Sequence, residues 1–95
     1  MEKLGPGMWL SLHGLAEEFH NDSKMYKRLV ISIFRKIPCN QCSRDAFNYL
    51  TRNDITNPME WICKFHNHVN EKIGKPAIRC QKYPVAHVRA RAGQV

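Results

Sequence analysis

The stretch from Asn57 to Pro76 constrains the fold of this chain more than any other, because it carries both the start and the stop signals of one helix. Asn57 is a natural N-cap, Pro58 suits the first helical position, and Gly74-Lys75-Pro76 is a stop signal. Between these signals, apolar side chains recur at helical spacing at Trp61, Ile62, Phe65, Val69 and Ile73. The sequence therefore predicts an amphipathic helix over about residues 58–73.

Three further helical patterns precede this helix. The first covers residues 9–19, and Asn21-Asp22-Ser23 then breaks it and offers an N-cap for the next. The second contains Met25, Leu29, Val30, Ile33, Phe34 and Ile37. It ends at Pro38, a third pattern covers about residues 39–50, and residues 81–92 allow a short fifth helix. No run alternates as a strand would, so we predict an all-α fold, a four-helix bundle with a short fifth helix.

The size of the chain favours a single domain. Ninety-five residues are too few for two self-sufficient cores, so we expect one domain over residues 1–95, with its core at about 4–90 and a loose tail at 91–95. Every apolar run is shorter than the ~18 residues that cross a bilayer. The first residues lack a basic region followed by an apolar one. We therefore expect no membrane span and no secretory signal.

The net charge of +7 is unevenly distributed. Residues 23–95 hold fourteen of the fifteen basic residues and only four of the eight acidic ones. A solvated basic face, an anionic cofactor and an acidic protein partner all suit this balance. Because no RNA-binding or zinc-finger signature accompanies the basic residues, nucleic acid is disfavoured as a partner.

The spacing of the four cysteines leaves two kinds of site open. Cys39-Asn40-Gln41-Cys42 is a C-x-x-C at the expected start of a helix, where backbone N–H groups stabilise a thiolate suited to dithiol–disulfide exchange. Cys63-Lys64-Phe65-His66 is a C-x-x-H, so the four residues also fit tetrahedral Zn²⁺ in a zinc-stabilised interaction module.

Polar residues on the last helix favour a cofactor pocket over a zinc cage. Cys63 and His66 fall in the middle of a capped apolar helix, and His66 shares a face with Asn70. His13 stands four residues after Trp9 on the first helix. Buried polar side chains need hydrogen bonds, which a heteroaromatic cofactor would supply. The alternative is that these side chains pair with one another or face water.

The order of these motifs resembles the FAD-dependent sulfhydryl oxidases of the Erv/ALR type. The resemblance rests on Trp9-x3-His13, on the C-x-x-C, and on the run from Trp61 to Pro76. That run is similar to the family signature His-Asn-x-Val-Asn-x-x-Leu-Gly-Lys-Pro, with Ile73 in place of Leu. The likeness covers about residues 4–80.

The resemblance implies roles for individual residues. It implies FAD held at one end of the bundle core, Cys39 as the cysteine that substrate thiols attack, and Cys42 as the cysteine beside the flavin. It also implies a structural disulfide between Cys63 and Cys80, and electron transfer from FAD to O₂, which gives H₂O₂. The residues expected to contact FAD are Gly5, Trp9, His13, Cys42, His66, Asn67, Val69, Asn70, Lys72, Lys75 and Tyr83.

The departures from the family pattern point to a minimal form. Pro6 replaces an Arg of the family's Gly-Arg-x-x-Trp segment, and all four cysteines have roles, so no further shuttle pair is expected. Residues 46–53 resemble the asfarvirus version, which suggests an enzyme of a large cytoplasmic DNA virus. The implied partners are a client dithiol protein, such as a small thioredoxin-like carrier, and a second copy joined through the first helices. The implied location is the host cytoplasm or virion, or the mitochondrial intermembrane space for a cellular protein.

Overall fold

A computed structural model describes residues 5–80, and within that range the chain is helical and contains no strand. The helices are α1 (Pro6–Glu18), α2 (Ser23–Phe34), α3 (Asn40–Arg52) and α4 (Pro58–Ile73). The all-α prediction is confirmed. The predicted fifth helix, the loose tail and Tyr83 lie outside the described residues.

Side-chain caps fix the starts of α2 and α4. Asp22 Oδ1 accepts a hydrogen bond from the Met25 N–H at 3.1 Å, and Asn57 Oδ1 accepts one from the Glu60 N–H at 3.2 Å. Each bond satisfies a backbone donor that has no partner within its helix, which contributes about 1 kcal/mol. Gly74 ends α4 in the left-handed region, with φ of 76°, where a side chain would be strained. The bounds predicted for α4 are therefore correct.

The predicted extent and inner face of α2 need correction. The helix ends at Phe34, not at Pro38, and the next residues form a tight turn in which the Ile37 N–H bonds to the Phe34 carbonyl at 3.2 Å. Met25, predicted to face the core, is 37% exposed, whereas Tyr26 is fully buried. The Tyr26 hydroxyl donates to the Leu12 carbonyl on α1 at 2.9 Å, so its polar atom is satisfied inside the core.

The core is built around the aromatic side chain of Phe65 on α4. Its ring stacks on Trp61 at a centroid distance of 5.3 Å and contacts Phe34 at 5.2 Å and Tyr49 at 5.3 Å. The buried apolar side chains come from all four helices: Leu12, Ala16, Tyr26, Val30, Phe34, Cys42, Ala46, Leu50, Trp61, Ile62, Phe65 and Val69. Phe65 is thus the central contact between α4 and the rest of the bundle.

Beyond Gly74, residues 75–80 turn back along α4, and we call them the return segment. A disulfide joins Cys80 to Cys63 on α4, which is the pair that the family resemblance implies. The Asn67 side chain accepts a hydrogen bond from the Ile78 N–H at 2.6 Å and donates one to the Ile78 carbonyl at 2.8 Å. Two independent attachments therefore hold the return segment against α4. Among residues 5–80, no helix has the length and apolar character needed to span a membrane.

Candidate active site

The C-x-x-C dithiol lies at the N-terminus of α3. Cys39 is the N-cap residue, and its Sγ accepts a hydrogen bond from the Cys42 N–H at 3.2 Å. Both residues are thiols in this structure; Cys39 is half-buried, while Cys42 is only 4% exposed. A reagent approaching from solvent therefore meets Cys39 first.

The electrostatics of this position favour the Cys39 thiolate. Hydrogen bonds from the side chain and then the backbone of Cys42 lower the pKa of the Cys39 thiol below its ordinary value. The positive end of the α3 dipole acts in the same direction. A cysteine with these properties is both a reactive nucleophile and a good leaving group in disulfide exchange.

The turn between α2 and α3 holds the dithiol in place. The Ser43 hydroxyl donates to the Phe34 carbonyl at 3.0 Å, which ties the first turn of α3 to the end of α2. The buried side chain of Ile37 anchors the turn to the core. Pro38, which cannot continue a helix, separates the two helices immediately before Cys39.

A second group of functional candidates, which we call the aromatic cluster, consists of Trp9, His13 and His66. The Trp9 and His66 rings stack with centroids 3.8 Å apart and planes 10° apart. His13 Nε2 lies 3.0 Å from His66 Nδ1, so one of these nitrogens donates a hydrogen bond to the other. The cluster joins α1 to α4, and its three members are those that the motifs singled out.

Burial favours the neutral form of the two histidines of this cluster, which we call the imidazole pair. Burial lowers the pKa of His13. Burial, the nearby His13 ring and the Lys75 ammonium, in that order, lower the pKa of His66. A neutral pair offers both hydrogen-bond donors and acceptors, which suits a ligand that carries both.

Asn70 supplies the test of whether this region fits a cofactor. The residue is 6% exposed, and its backbone carbonyl accepts from the N–H groups of Gly74 and Lys75. Within residues 5–80, however, its side-chain amide forms no hydrogen bond. The amide atoms keep contact with solvent, so they are available to a ligand that lies on the same helix face as His66. Indole, imidazole and amide groups match the stacking surface and polar edge of FAD, so these residues fit the cofactor that the family resemblance implies.

The remaining predicted cofactor residues lie in different surroundings. Gly5 is the N-cap of α1, and its carbonyl accepts from the N–H groups of Met8 and Trp9. Val69 is buried in the core. Lys72 forms an ion pair with Asp45 of α3 at 3.4 Å, on a different face of α4 from His66.

Two predicted residues border a groove between α4 and the return segment. The groove has a volume of about 490 Å³ and is lined by Lys64, Asn67, His68, Glu71, Lys75 and Ala77. The Lys75 ammonium is close enough to lower the pKa of His66. The Asn67 amide is engaged on both sides by Ile78, so its immediate task is to fasten the return segment.

The structural disulfide contradicts the zinc alternative. A C-x-x-C…C-x-x-H site needs Cys63 as a thiolate ligand, but the sulfur of Cys63 is bonded to Cys80. In the part of the chain that the structure describes, no group of three or more Cys, His, Asp and Glu side chains is arranged to hold a metal ion.

Two residues that contribute to the site, Asp45 and Ile78, are not predicted by the sequence motifs. Asp45 is the partner of Lys72 and also accepts from the Gln41 side chain at 3.3 Å, next to the dithiol. Ile78 contributes its backbone to the Asn67 contact. The i,i+4 spacing of Gln41 and Asp45 on α3 is the sequence pattern from which the contact of Asp45 could have been predicted. No sequence signal exists for a contact made by backbone atoms across a turn.

Comparison with known proteins identifies the family of this chain. The model of the Erv1 / Alr family matches residues 6–89. A protein of African swine fever virus (isolate Pig/Kenya/KEN-50/1950), named FAD-linked sulfhydryl oxidase, is 33% identical over 90 residues, which cover 83% of this chain and 75% of the viral protein.

Cellular proteins give similar matches over a smaller share of their length. FAD-linked sulfhydryl oxidase ERV1 of Oryza sativa subsp. japonica is 30% identical over 104 residues, with 99% of this chain and 51% of the rice protein covered. Mitochondrial FAD-linked sulfhydryl oxidase ERV1 of Saccharomyces cerevisiae is 32% identical over 90 residues, which cover 84% of this chain and 48% of the yeast protein. The chain thus spans about half of these two relatives. No solved structure matches it.

Proposed function

The chain belongs to the Erv1/Alr family, and we propose that it is an FAD-dependent thiol oxidase that forms disulfide bonds in client proteins. The observation that carries this proposal is the unequal pair at the start of α3. Cys39 is accessible and has a lowered pKa, whereas Cys42 is buried against the bundle core. One cysteine is suited to exchange with a client, and the other to electron transfer inside the protein.

The difference in accessibility between Cys39 and Cys42 sets the order of the exchange step. In the oxidised enzyme, a client thiolate attacks Cys39 Sγ; a client–Cys39 bond forms, the Cys39–Cys42 bond breaks, and Cys42 leaves as a thiolate with the electron pair. A second client thiolate then attacks the client sulfur and releases Cys39 as a thiolate. The client loses two electrons and becomes a disulfide, and the enzyme dithiol gains them. The low pKa of Cys39 speeds the second half of this exchange, in which Cys39 is the leaving group.

The cofactor completes the cycle. When bound, FAD supplies the two-electron chemistry that restores the Cys39–Cys42 disulfide and delivers the electrons to O₂ as H₂O₂. We assign its binding to the aromatic cluster and Asn70, with Lys75 as a nearby cation for the pyrophosphate. Trp9 offers a stacking face, the imidazole pair offers a neutral donor and acceptor, and Asn70 offers an amide that forms no hydrogen bond within residues 5–80. Gly5, Val69 and Tyr83 stay predictions from the family resemblance, as do direct cofactor contacts of Asn67 and Lys72.

Partners and location are also proposed. We propose a client dithiol protein of the size of a small thioredoxin-like carrier, and a homodimer formed through α1, on which Leu10 is 77% exposed.

The viral relatives support a viral source, for which we propose the host cytoplasm and the virion. The yeast relative is named mitochondrial, and for a cellular source we propose the mitochondrial intermembrane space.

One experiment tests the proposed function directly. Purified protein should show flavin absorbance near one FAD per chain and should consume O₂ when supplied with dithiothreitol. Cys42→Ser should abolish the O₂ consumption and retain the FAD, because the electron path is cut while the cofactor contacts stay. Asn48→Ala, a change at an exposed site on the same helix, should leave both measurements unchanged. Oxidase activity in Cys42→Ser, or colourless protein loaded with zinc, would refute the proposal.

A further inference from the structure

A run of basic residues without acidic ones leads up to the dithiol and includes it. Residues 23–44, which form α2, the following turn and the start of α3, contain six basic residues and no acidic one. The six are Lys24, Lys27, Arg28, Arg35, Lys36 and Arg44. Less than a quarter of the chain therefore carries most of its net charge of +7.

Three of these residues lie within five positions of Cys39 in the chain, at two helix ends that the fold joins. Arg35 and Lys36 immediately follow α2, and Arg44 lies in the first turns of α3. The hydrogen bond between Ser43 and the Phe34 carbonyl holds these two helix ends together, as described above. All three basic side chains are exposed, and we call them the docking surface.

Acidic groups elsewhere do not neutralise the docking surface. The ion pairs within residues 5–80 engage Lys27 with Asp54, Lys64 with Glu60, and Lys72 with Asp45. None of them involves a residue of the docking surface. Asp45, the nearest acidic residue along the chain, is half-buried and already contacts Lys72 and Gln41.

The position of the docking surface separates it from the proposed cofactor site. The aromatic cluster joins α1 to α4, whereas the docking surface belongs to the junction of α2 and α3 beside the accessible cysteine. A positive field at that junction attracts anions to Cys39, and the attacking form of a client is itself an anionic thiolate.

From this arrangement we propose that the enzyme selects client proteins whose reactive cysteines are flanked by acidic side chains, which contact Arg35, Lys36 and Arg44. The inference rests on the proposed function, because it names the class of client that exchanges with Cys39. Complementary charge acts mainly on the rate of encounter, which it can raise about tenfold or more, and this gain falls as ionic strength rises. The covalent step is the exchange given above: the client sulfur bonds to Cys39, the Cys39–Cys42 bond breaks, and Cys42 leaves as a thiolate with the electron pair.

The test uses an exchange reaction that requires neither FAD nor O₂. In a Cys42→Ser variant, the Cys39 thiolate attacks the peptide sulfur of a peptide–thionitrobenzoate mixed disulfide and releases coloured thionitrobenzoate. Three single-cysteine peptides are compared, with the cysteine flanked by Glu, by Gln or by Lys. At low ionic strength we expect the Glu peptide to react about tenfold faster than the Lys peptide, with the Gln peptide between them. At 1 M salt, where the screening length is about 3 Å, the difference should largely vanish.

A matched pair of variants separates local charge from net charge. Arg35→Gln with Lys36→Gln should reduce the Glu-to-Lys rate ratio to about twofold. Lys24→Gln with Arg28→Gln removes the same charge about 15 and 9 Å along the helix axis from the end of α2, and it should retain most of the ratio. Circular dichroism of both double variants checks that α2 is intact. The comparison of the three peptides at low and high salt does not depend on these variants, so it tests the proposal even if they fail to fold.

Several results would overturn the inference. Equal rates for the three peptides would show that the docking surface exerts no selection, and equal loss of the ratio in both double variants would show that only net charge matters. The surface would be assigned to nucleic acid instead if the parent protein retained duplex DNA at 0.15 M salt and the double variant Arg35→Gln with Lys36→Gln did not. Failure of the proposed oxidase function is read separately, from the absence of FAD and of O₂ consumption with dithiothreitol.

Discussion

Replacing Cys63 and Cys80 together by alanine should lower the free energy of unfolding by about 3 kcal/mol. The bridge joins residues separated by 17 positions, and the loop-closure entropy of a loop of that length, expressed at 25 °C, gives about this value. For a domain of 60–100 residues, each kcal/mol corresponds to about 4–8 °C in Tm, so we expect a decrease of about 12–24 °C. The change matters because a chain of this size has a small core and little stability to lose.

The assay is thermal and urea unfolding followed by circular dichroism, with every sample saturated with FAD. The matched control is Cys39→Ala with Cys42→Ala, which also removes two sulfurs but no disulfide of this structure. It should cost about 1–2 kcal/mol: about 1 for the N-cap that Cys39 provides, and up to about 1 more for the sulfur that the buried Cys42 side chain loses. A loss below about 1 kcal/mol for the Cys63 and Cys80 variant, or a loss of dithiothreitol oxidation at unchanged Tm, would refute a purely structural role for the bridge.

The second attachment of the return segment sharpens the test. Asn67→Ala removes two hydrogen bonds to Ile78 and should cost about 1–3 kcal/mol while the bridge is present. Once the bridge is gone, those two bonds alone must order the whole segment, so removing them should cost much less. A double-mutant cycle measures this coupling, and strict additivity would mean that the two attachments act on different segments.

Three further predictions concern the two groups of the site. Cys42→Ala should raise the pH midpoint of Cys39 alkylation by iodoacetamide in the reduced protein, because it removes the Cys42 side-chain hydrogen bond, the largest cause of the lowered Cys39 pKa, and keeps the backbone one; an unchanged midpoint, measured by mass spectrometry, would contradict this. Trp9→Ala should reduce bound FAD at least tenfold by absorbance, whereas the exposed neighbour Leu10→Ala should not; equal retention would remove Trp9 from the cofactor site. Because the imidazole pair has a lowered pKa in the folded state, its contribution to stability is present above about pH 6.5, the ordinary value, and is lost as the pH falls towards the lowered values. Tm should therefore fall between pH 7 and pH 5, and His66→Gln should flatten that decline; an equal slope in the variant would refute the assignment.

Local signals account for the parts of the fold that the sequence predicts well. The ends of α4 follow from Asn57, Pro58 and Gly74, each of which acts on its own backbone. The start of α2 follows from Asp22 for the same reason. The C-x-x-C was also placed correctly, because a cysteine after Pro38 and before a helical pattern has few alternatives to the N-cap.

Contacts between distant elements account for the errors. Hydrophobicity alone favoured Met25 over Tyr26 as a core residue, but the carbonyl of Leu12 on another helix accepts the Tyr26 hydroxyl and allows that ring to be buried. The stacking of Trp9 on His66 likewise depends on how α1 crosses α4. The motifs identified these two residues as functional, but no spacing within either helix predicts that their rings lie parallel.

The shielding of Cys63 has a consequence for an enzyme that works among thiols. Every client that can reduce the Cys39–Cys42 disulfide is also a nucleophile towards the bridge that holds the return segment. Cys63 is 9% exposed, and the Asn67 amide lies 3.4 Å from the Cys80 sulfur, which narrows the line of approach to that bond. The Cys63 end of the bridge is therefore shielded, whereas Cys39, the accessible end of the other disulfide, exchanges in each catalytic cycle. The more slowly a client thiolate reaches the bridge, the longer the return segment stays fastened during turnover, whatever the relative stability of the two bonds.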